Sequence, residues 1–147
     1  MSHVRKSIRD NIVTTLTGLT TTGNKVYRSR VYPLSVSKLP GLTIYTKSEE
    51  SEYATNIRPR TVFRTLTVII EAYVQALSDY DSQIDAIAVE IEEALSTDVT
   101  RGGYAKDTQI VSFDAEYSGE GDIPVASATF TVQVVYSTKE NDSEIAG

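Results

Sequence analysis

Residues 60–74 read RTVFRTLTVIIEAYV, and this stretch decides the fold. Apolar side chains occupy nearly every second position from Val62 to Val74, and most alternate positions carry threonine, aromatic or acidic residues. Because successive side chains of a β-strand point to opposite faces, this period of two predicts a long strand with one buried face. The neighbouring segments must therefore supply a layer that covers this face.

Two segments with helical periodicity can form that layer. Residues 78–95 open with SDYD, which resembles a capping box, and continue with a stripe of apolar residues at helical spacing. Residues 4–16 carry an apolar residue at every fourth position, which predicts an N-terminal helix that Ser2 caps and Gly18 ends. The single histidine, His3, is expected near a frayed terminus.

The remaining apolar runs predict four more strands, at residues 26–32, 42–46, 110–117 and 125–136. The order of elements is then α-β-β-β-α-β-β. This order predicts an α+β fold, with a mixed, mainly antiparallel β-sheet and two α-helices packed on one face. Residues 1–137 are expected to form a single domain, and the polar residues 138–147 a disordered C-terminal tail.

A long loop is predicted at residues 47–59, KSEESEYATNIRP. It begins acidic and ends basic, and its charged residues include Glu49, Glu50, Glu52 and Arg58, followed by Arg60. Loops of this length are uncommon inside compact domains and often carry function. Tyr53 stands within this loop, where the domain offers little for a tyrosine to pack against.

The composition excludes several classes of site. The 147 residues include no cysteine and one histidine, which excludes disulfides, thiol catalysis, thiolate metal sites, multi-histidine zinc sites and histidine-based triads. The glycines form neither of the common nucleotide-binding loops, GxxxxGKS/T and GxGxxG. We expect no enzyme activity, no catalytic residue, no metal and no cofactor. No apolar run is long enough to span a membrane.

The formal net charge of −6 conceals an uneven distribution. Residues 1–75 contain 11 Lys and Arg against 5 Asp and Glu, a balance of +6, whereas residues 76–147 contain 3 against 15, a balance of −12. Such a division fits either nucleic-acid binding by the basic half or association of oppositely charged surfaces. The strands carry no aromatic platform among the basic residues, which favours association between copies.

The layout resembles the tail terminator proteins of long-tailed bacteriophages, the lambda-type minor tail protein U group. The resemblance covers about residues 3–137 and is one of pattern and order, not of an invariant motif. It rests on four segments, HVRKSIRDNIVTTLTGL, VYRSRVYPLSVSKLPGLTIYT, RTLTVIIEAYV with DYDSQIDAIAVEIEEAL, and DTQIVSFDAEYSGEGDIPVASATFTVQVVYS. Tail-completion and neck proteins of the same phages share this general architecture and are the nearest alternative.

The resemblance implies a non-enzymatic virion protein at the head-proximal end of the phage tail, assembled in the host cytoplasm. Members of the family form a hexameric ring on the tail tube, stop tube polymerisation and provide the head-tail joining surface. The implied partners are further copies of the chain, the tail tube protein and a head-tail connector protein. DNA would pass through the lumen only as cargo, and no membrane is involved. A small soluble α+β ligand-binding module or enzyme, and a nucleic-acid-binding protein, are the alternatives from other classes.

Nine residues are the candidates for contacts between subunits or with the tube. They are Arg28, Arg30, Glu49, Glu50, Glu52, Tyr53, Arg58, Arg60 and Arg64. If the arginines of the loop and the third strand face a neighbour, reversing Arg58, Arg60 and Arg64 together should weaken association and leave the fold intact.

Overall fold

The computed structural model of the protein describes residues 3–28, 40–75, 80–118 and 125–147. The order α-β-β-β-α-β-β and the α+β class are confirmed. The elements are α1 (Val4–Leu16), β1 (Val26–Tyr27), β2 (Gly41–Tyr53), β3 (Thr61–Gln75), α2 (Tyr80–Ser96), β4 (Asp107–Ser118) and β5 (Val125–Lys139).

The five strands form one sheet in the order β1-β2-β3-β5-β4. All neighbouring strands are antiparallel except β1 and β2, which run parallel. The two longest strands, β3 and β5, lie side by side at its centre and pair along their whole length from Thr61↔Lys139 to Gln75↔Val125. This central pair explains why residues 60–74 have so regular a period of two.

Both helices cover the same face of the sheet. The apolar stripe of α1 is buried, and Ile84, Ile87, Ile91 and Leu95 of α2 are buried beside it. α1 contacts β1 and β2, whereas α2 contacts β3, β4 and β5. The helices therefore divide the sheet between them, and the opposite face carries the threonines of β3 and, except for Thr138, those of β5.

The long loop predicted at residues 47–59 is mostly strand. β2 continues to Tyr53, because Ser48–Tyr53 pair with Thr67–Val62 of β3. A bulge between Thr46 and Ser48 shifts the register at this point. Beyond the bulge β2 is polar and largely exposed, so no apolar period reveals the strand. The true connection is residues 54–60, which form the tip of a long β2–β3 hairpin.

The tail predicted to be disordered from residue 138 is also structured. β5 runs through Lys139, and the chain then folds back so that the Ser143 carbonyl accepts from the Val4 amide at 2.9 Å. The Gly147 amide donates to the Ser137 carbonyl at 2.9 Å. The polar composition misleads here because Ser137 and Thr138 are buried by these contacts and by pairing with β3.

The ends of several elements differ from the predictions. α1 is capped by His3, whose Nδ1 accepts from the Arg5 amide at 3.1 Å, so His3 is not frayed, while the predicted cap Ser2 lies outside the described residues. Within the described part of the chain β1 is only two residues long. Residues 29–32 of the predicted first strand, and residues 78–79 of the predicted capping box, lie outside the described ranges.

Candidate assembly surfaces

Glu49 is the centre of a largely buried polar cluster on the helix-covered side of the sheet. Its side chain is 7% exposed and forms ion pairs with Arg64 Nη1 at 3.1 Å and Arg5 Nη1 at 3.3 Å. It also accepts a hydrogen bond from the Tyr136 hydroxyl. Burial, and then the hydrogen bond to Glu49, raise the pKa of Tyr136 far above its usual range. The cluster joins α1, β2, β3 and β5.

Two of the candidate arginines, Arg64 and Arg60, form ion pairs with carboxylates of the same chain. Arg64 binds Glu49 and also donates from Nε to Thr138 Oγ1 at 3.2 Å. Arg60 forms an ion pair with Glu140, with Nε at 2.9 Å from Oε2. Reversing Arg64 would place a carboxylate against Glu49, so the triple reversal would disturb the fold as well as any interface.

The tip of the β2–β3 hairpin is the most exposed apolar part of the described chain. Ile57 is 83% exposed and Tyr53 57% exposed. The Arg60 guanidinium lies 4.6 Å from the centroid of the Tyr53 ring, which is a cation–π distance. Arg58 is exposed beside Ile57. We call Tyr53, Ile57 and Arg58 the hairpin tip.

Glu50 and Glu52 lie on the other face of β2, next to the exposed ring of Phe63. They line a shallow concavity together with Ser51 and Thr65. The structure thus separates Glu49 from the two acidic residues that follow it in the sequence, because successive strand residues alternate between faces. Glu50 and Glu52 remain available for a partner.

Arg28 belongs to a basic groove between α1 and the outer edge of the sheet. The groove has a volume of about 480 Å³ and is lined by Lys6, Arg9, Asp10, Arg28, Ile44, Tyr45 and Thr46. Arg28 and Lys6 both pair with Asp10, at 3.3 Å and 2.8 Å. The hydrogen bond from Lys6 lowers the pKa of Asp10, and the charges of Lys6, Arg28 and Arg9 lower it further. Arg30, the other candidate on this strand, lies outside the described residues.

The opposite edge of the sheet is acidic and apolar. Val111 and Phe113 of β4 are 47% and 46% exposed, and Asp114 and Glu116 are exposed beside them. Phe113 pairs with Phe130 on the helix-covered face, with ring centroids 5.2 Å apart. It nevertheless stays accessible because it lies on the outermost strand, and α2 leaves the side chains from Val111 to Glu116 exposed.

One flank of α2 continues this acidic edge. Glu90 accepts from the Thr21 amide at 2.8 Å, which places that side of α2 toward the turn after α1. At about 100° per residue, Asp81, Asp85 and Glu92 lie roughly 140–180° around the axis from Glu90. All three are exposed, and α2 contains no lysine or arginine.

Comparison with solved structures finds similar chains. The chain is similar to a chain in a solved structure of the "Virion of native gene transfer agent (GTA) particle", with a TM-score of 0.45 and 18% sequence identity. The likeness covers 90% of this chain and 92% of that chain. No protein-family model and no curated protein matches the sequence.

The described part of the chain holds no group of three or more metal-ligating side chains. None of its helices combines the length and apolar character that crossing a bilayer requires. The surfaces that stand out are those that could contact protein: the hairpin tip, the basic groove and the acidic edge.

Sequence reasoning missed several residues of these surfaces. Lys6 and Arg9 lie beside Arg28 because α1 packs against β1 and β2. In the sequence, the only indication was that Lys6 and Arg9 are three residues apart and therefore share one side of the predicted helix. Nothing in the sequence marks Phe113 as exposed, since its alternation suits a central strand as well as an edge strand. Ile57 could have been found as the one large aliphatic residue in the predicted loop.

Proposed function

We propose that this chain is a structural virion protein, a tail terminator that forms a ring on the tail tube of a long-tailed bacteriophage. In this proposal the ring stops tube polymerisation and presents the surface that a head-tail connector binds. DNA passes through the lumen as cargo. The chain acts by binding other proteins and needs no catalytic group or cofactor.

The hairpin tip is the observation that carries the proposal. Ile57 is 83% exposed and is followed by the exposed Arg58, and Tyr53 of the same hairpin is 57% exposed. Aromatic residues and arginine are enriched at protein interfaces, and Ile57 adds apolar surface to them that a partner can cover. Because residues 51–59 are all exposed, the tip can contact a neighbouring subunit or the tube. The element order that resembles the tail terminator family supports the same assignment.

A protein that caps the tube must bind the end of the tube as well as other copies of itself. We assign the tube contact to the hairpin tip, with Ile57 as the apolar anchor and Arg58 as its charged neighbour. Glu50 and Glu52 lie on the same hairpin and are assigned to the rim of this contact, where exposed charges mainly guide association.

The test uses purified tube protein that polymerises in vitro. Adding this protein should shorten the tubes and place a ring at one end in negative-stain images, whereas Ile57→Asp should lose this effect. Ile145→Asp is the matched control, because Ile145 is also exposed but lies in the C-terminal segment. Circular dichroism checks that each variant is folded.

Two results would overturn the proposal. One is unchanged tube length together with a strictly monomeric protein at high concentration. The other is binding to the head connector with no binding to tube ends, which would instead support a neck or tail-completion role. Equal loss of capping in both isoleucine variants would remove the hairpin tip from the contact.

A further inference from the structure

We propose that the acidic edge of one copy docks into the basic groove of a second copy, so that the two opposite edges of the sheet form the contact between subunits. This inference rests on the proposed function, because it assigns the surfaces that build the ring. The acidic edge consists of Val111, Phe113, Asp114 and Glu116 of β4 and Asp81, Asp85 and Glu92 of α2. The basic groove is defined by Lys6, Arg9, Arg28 and the residues around them.

The outer edge of β4 has no partner strand among the residues that the structure describes. β4 is 12 residues long, and among the described residues it pairs only with β5. A strand edge leaves alternate N–H and C=O groups unpaired, and natural proteins protect such edges with lysine, proline or very short strands. β4 contains neither lysine nor proline, and its one bulge lies between Ile110 and Ser112.

Charge complementarity selects the second copy as the occupant. Three cations and one carboxylate line the groove, which gives a net charge of +2. The acidic edge contributes five carboxylates, and none of them forms an ion pair with another described residue. Asp114 and Glu116 project on the other face of the sheet, where Asp114 and the exposed Lys47 line one concavity of the same chain, so the α2 carboxylates and Phe113 are the residues assigned to the groove.

The apolar part of the contact also has a partner. Phe113 lies on the helix-covered face of its strand, and the groove opens on that same face between α1 and β2. If β4 continues the sheet of the next copy, Phe113 meets the groove that contains Arg9 and Arg28. An aromatic ring beneath guanidinium groups gains from cation–π attraction as well as from burial.

The placement of the two surfaces determines the kind of assembly. They lie on opposite edges of one sheet, so the contact joins two different surfaces and repeats from copy to copy. Such a contact closes into a ring when the rotation per subunit divides a full turn. Pairing β4 with β4 would instead place acidic edges together, which like-charge repulsion opposes.

A charge exchange tests the proposal by measuring assembly mass in light scattering and mass photometry. Asp85→Lys with Glu92→Lys, which reverses the acidic-edge carboxylates on the same side of the sheet as the groove, should weaken association by about tenfold or more, as should Arg9→Glu with Arg28→Glu. Mixing the two double variants should restore association between them, because each then carries the charge that the other lacks. Phe113→Ser should weaken association without changing the circular dichroism spectrum.

The controls separate this inference from the proposed function. Glu144→Lys changes an exposed acidic residue outside the acidic edge, and Arg58→Glu changes the hairpin tip; both should assemble as the wild type does. If the wild type and every edge variant all form rings, the proposed contact between the two edges is wrong, while the proposed function stands. A failure of the mixed double variants to associate, with both folded, overturns the charge pairing. A wild type that never associates, even with tube protein, overturns the inference and the proposed function together.

Discussion

Replacing Glu49 by alanine should destabilise the fold far more than its position in a charged, surface-like stretch of sequence suggests. The carboxylate is nearly buried and binds Arg64 Nη1 at 3.1 Å, Arg5 Nη1 at 3.3 Å and the Tyr136 hydroxyl. Its removal leaves a buried hydroxyl without this acceptor and places two guanidinium groups near each other without the charge between them.

The structure sets the size of the effect. Arg64 is 15% exposed and Arg5 is 38% exposed, so the Arg64 pair is the stronger and the Arg5 pair is partly screened by solvent. Breaking a buried ion pair by removing one partner costs about 3–5 kcal/mol. We expect Glu49→Ala to lower the free energy of unfolding by about 3 kcal/mol, which corresponds to a fall in Tm of roughly 6–12 °C.

Glu50 provides the matched control, because it is the next residue and points to the exposed face of the same strand. Glu50→Ala should change the free energy of unfolding by less than about 0.5 kcal/mol. Urea unfolding followed by circular dichroism measures both variants, and a double-mutant cycle with Arg64→Ala isolates the pair. A loss below about 1 kcal/mol for Glu49→Ala, or equal losses for the two glutamates, would refute the assigned role of the cluster.

Three further predictions concern stability. Arg101 is fully buried and donates from Nη2 to the carbonyls of Leu95 and Asp98 at the end of α2. Hydrogen bonds from a charged donor stabilise, while the buried Nε and Nη1 of Arg101, which have no partner among the described residues, offset part of this gain, so Arg101→Ala should lower the free energy of unfolding by roughly 1–2 kcal/mol in urea titrations; a stabilising result would contradict this contact. Burial, followed by the charges of nearby arginines, lowers the pKa of His3 from 6.5. The stability that the neutral imidazole contributes is therefore present above pH 6.5 and is lost as the pH falls through the lowered pKa. His3→Asn keeps a capping acceptor and should lack this step when unfolding is compared at about pH 7.5 and about pH 5.5. Hydrogen bonds from Thr100 and Gly102 lower the pKa of Asp98 from 3.8, so the free energy of unfolding should fall as the pH drops below that value. Asp98→Asn should make this decline with pH less steep. A decline of unchanged slope would exclude Asp98 as its source.

The fold class could be predicted because β3, β5 and the two helices each carry a period that one buried face imposes. The predictions were wrong for segments in which no buried face imposes such a period. The second half of β2 is exposed, so its strand character depends on backbone pairing with β3 and not on a pattern of side chains. Residues 138–147 are polar in composition, yet they are fixed by hydrogen bonds to Val4 and Ser137 that no local pattern encodes.

The candidate contact residues could be predicted only in part. Arg28, Glu50, Glu52, Tyr53 and Arg58 are exposed, and their contacts with a partner stay predictions. Glu49 and Arg64, 15 positions apart in the sequence, meet because β2 folds back on β3. A charged residue in a polar stretch has the same appearance in sequence whether it later faces water or a second charge.

The sequence by itself determined the order of the elements, the burial of one sheet face and the uneven charge of the two halves of the chain. These properties follow from local periodicity and composition, which each segment carries without its neighbours. Only the tertiary structure decided where the charges lie. The parallel β1 and the neighbouring α1 bring Lys6, Arg9 and Arg28 to one edge of the sheet, while the position of β4 outside β5 brings acidic residues to the other. Strand order depends on pairing between segments that are distant in the sequence. Because of this pairing, basic residues of the first half of the chain and acidic residues of the second half lie at opposite edges of the sheet.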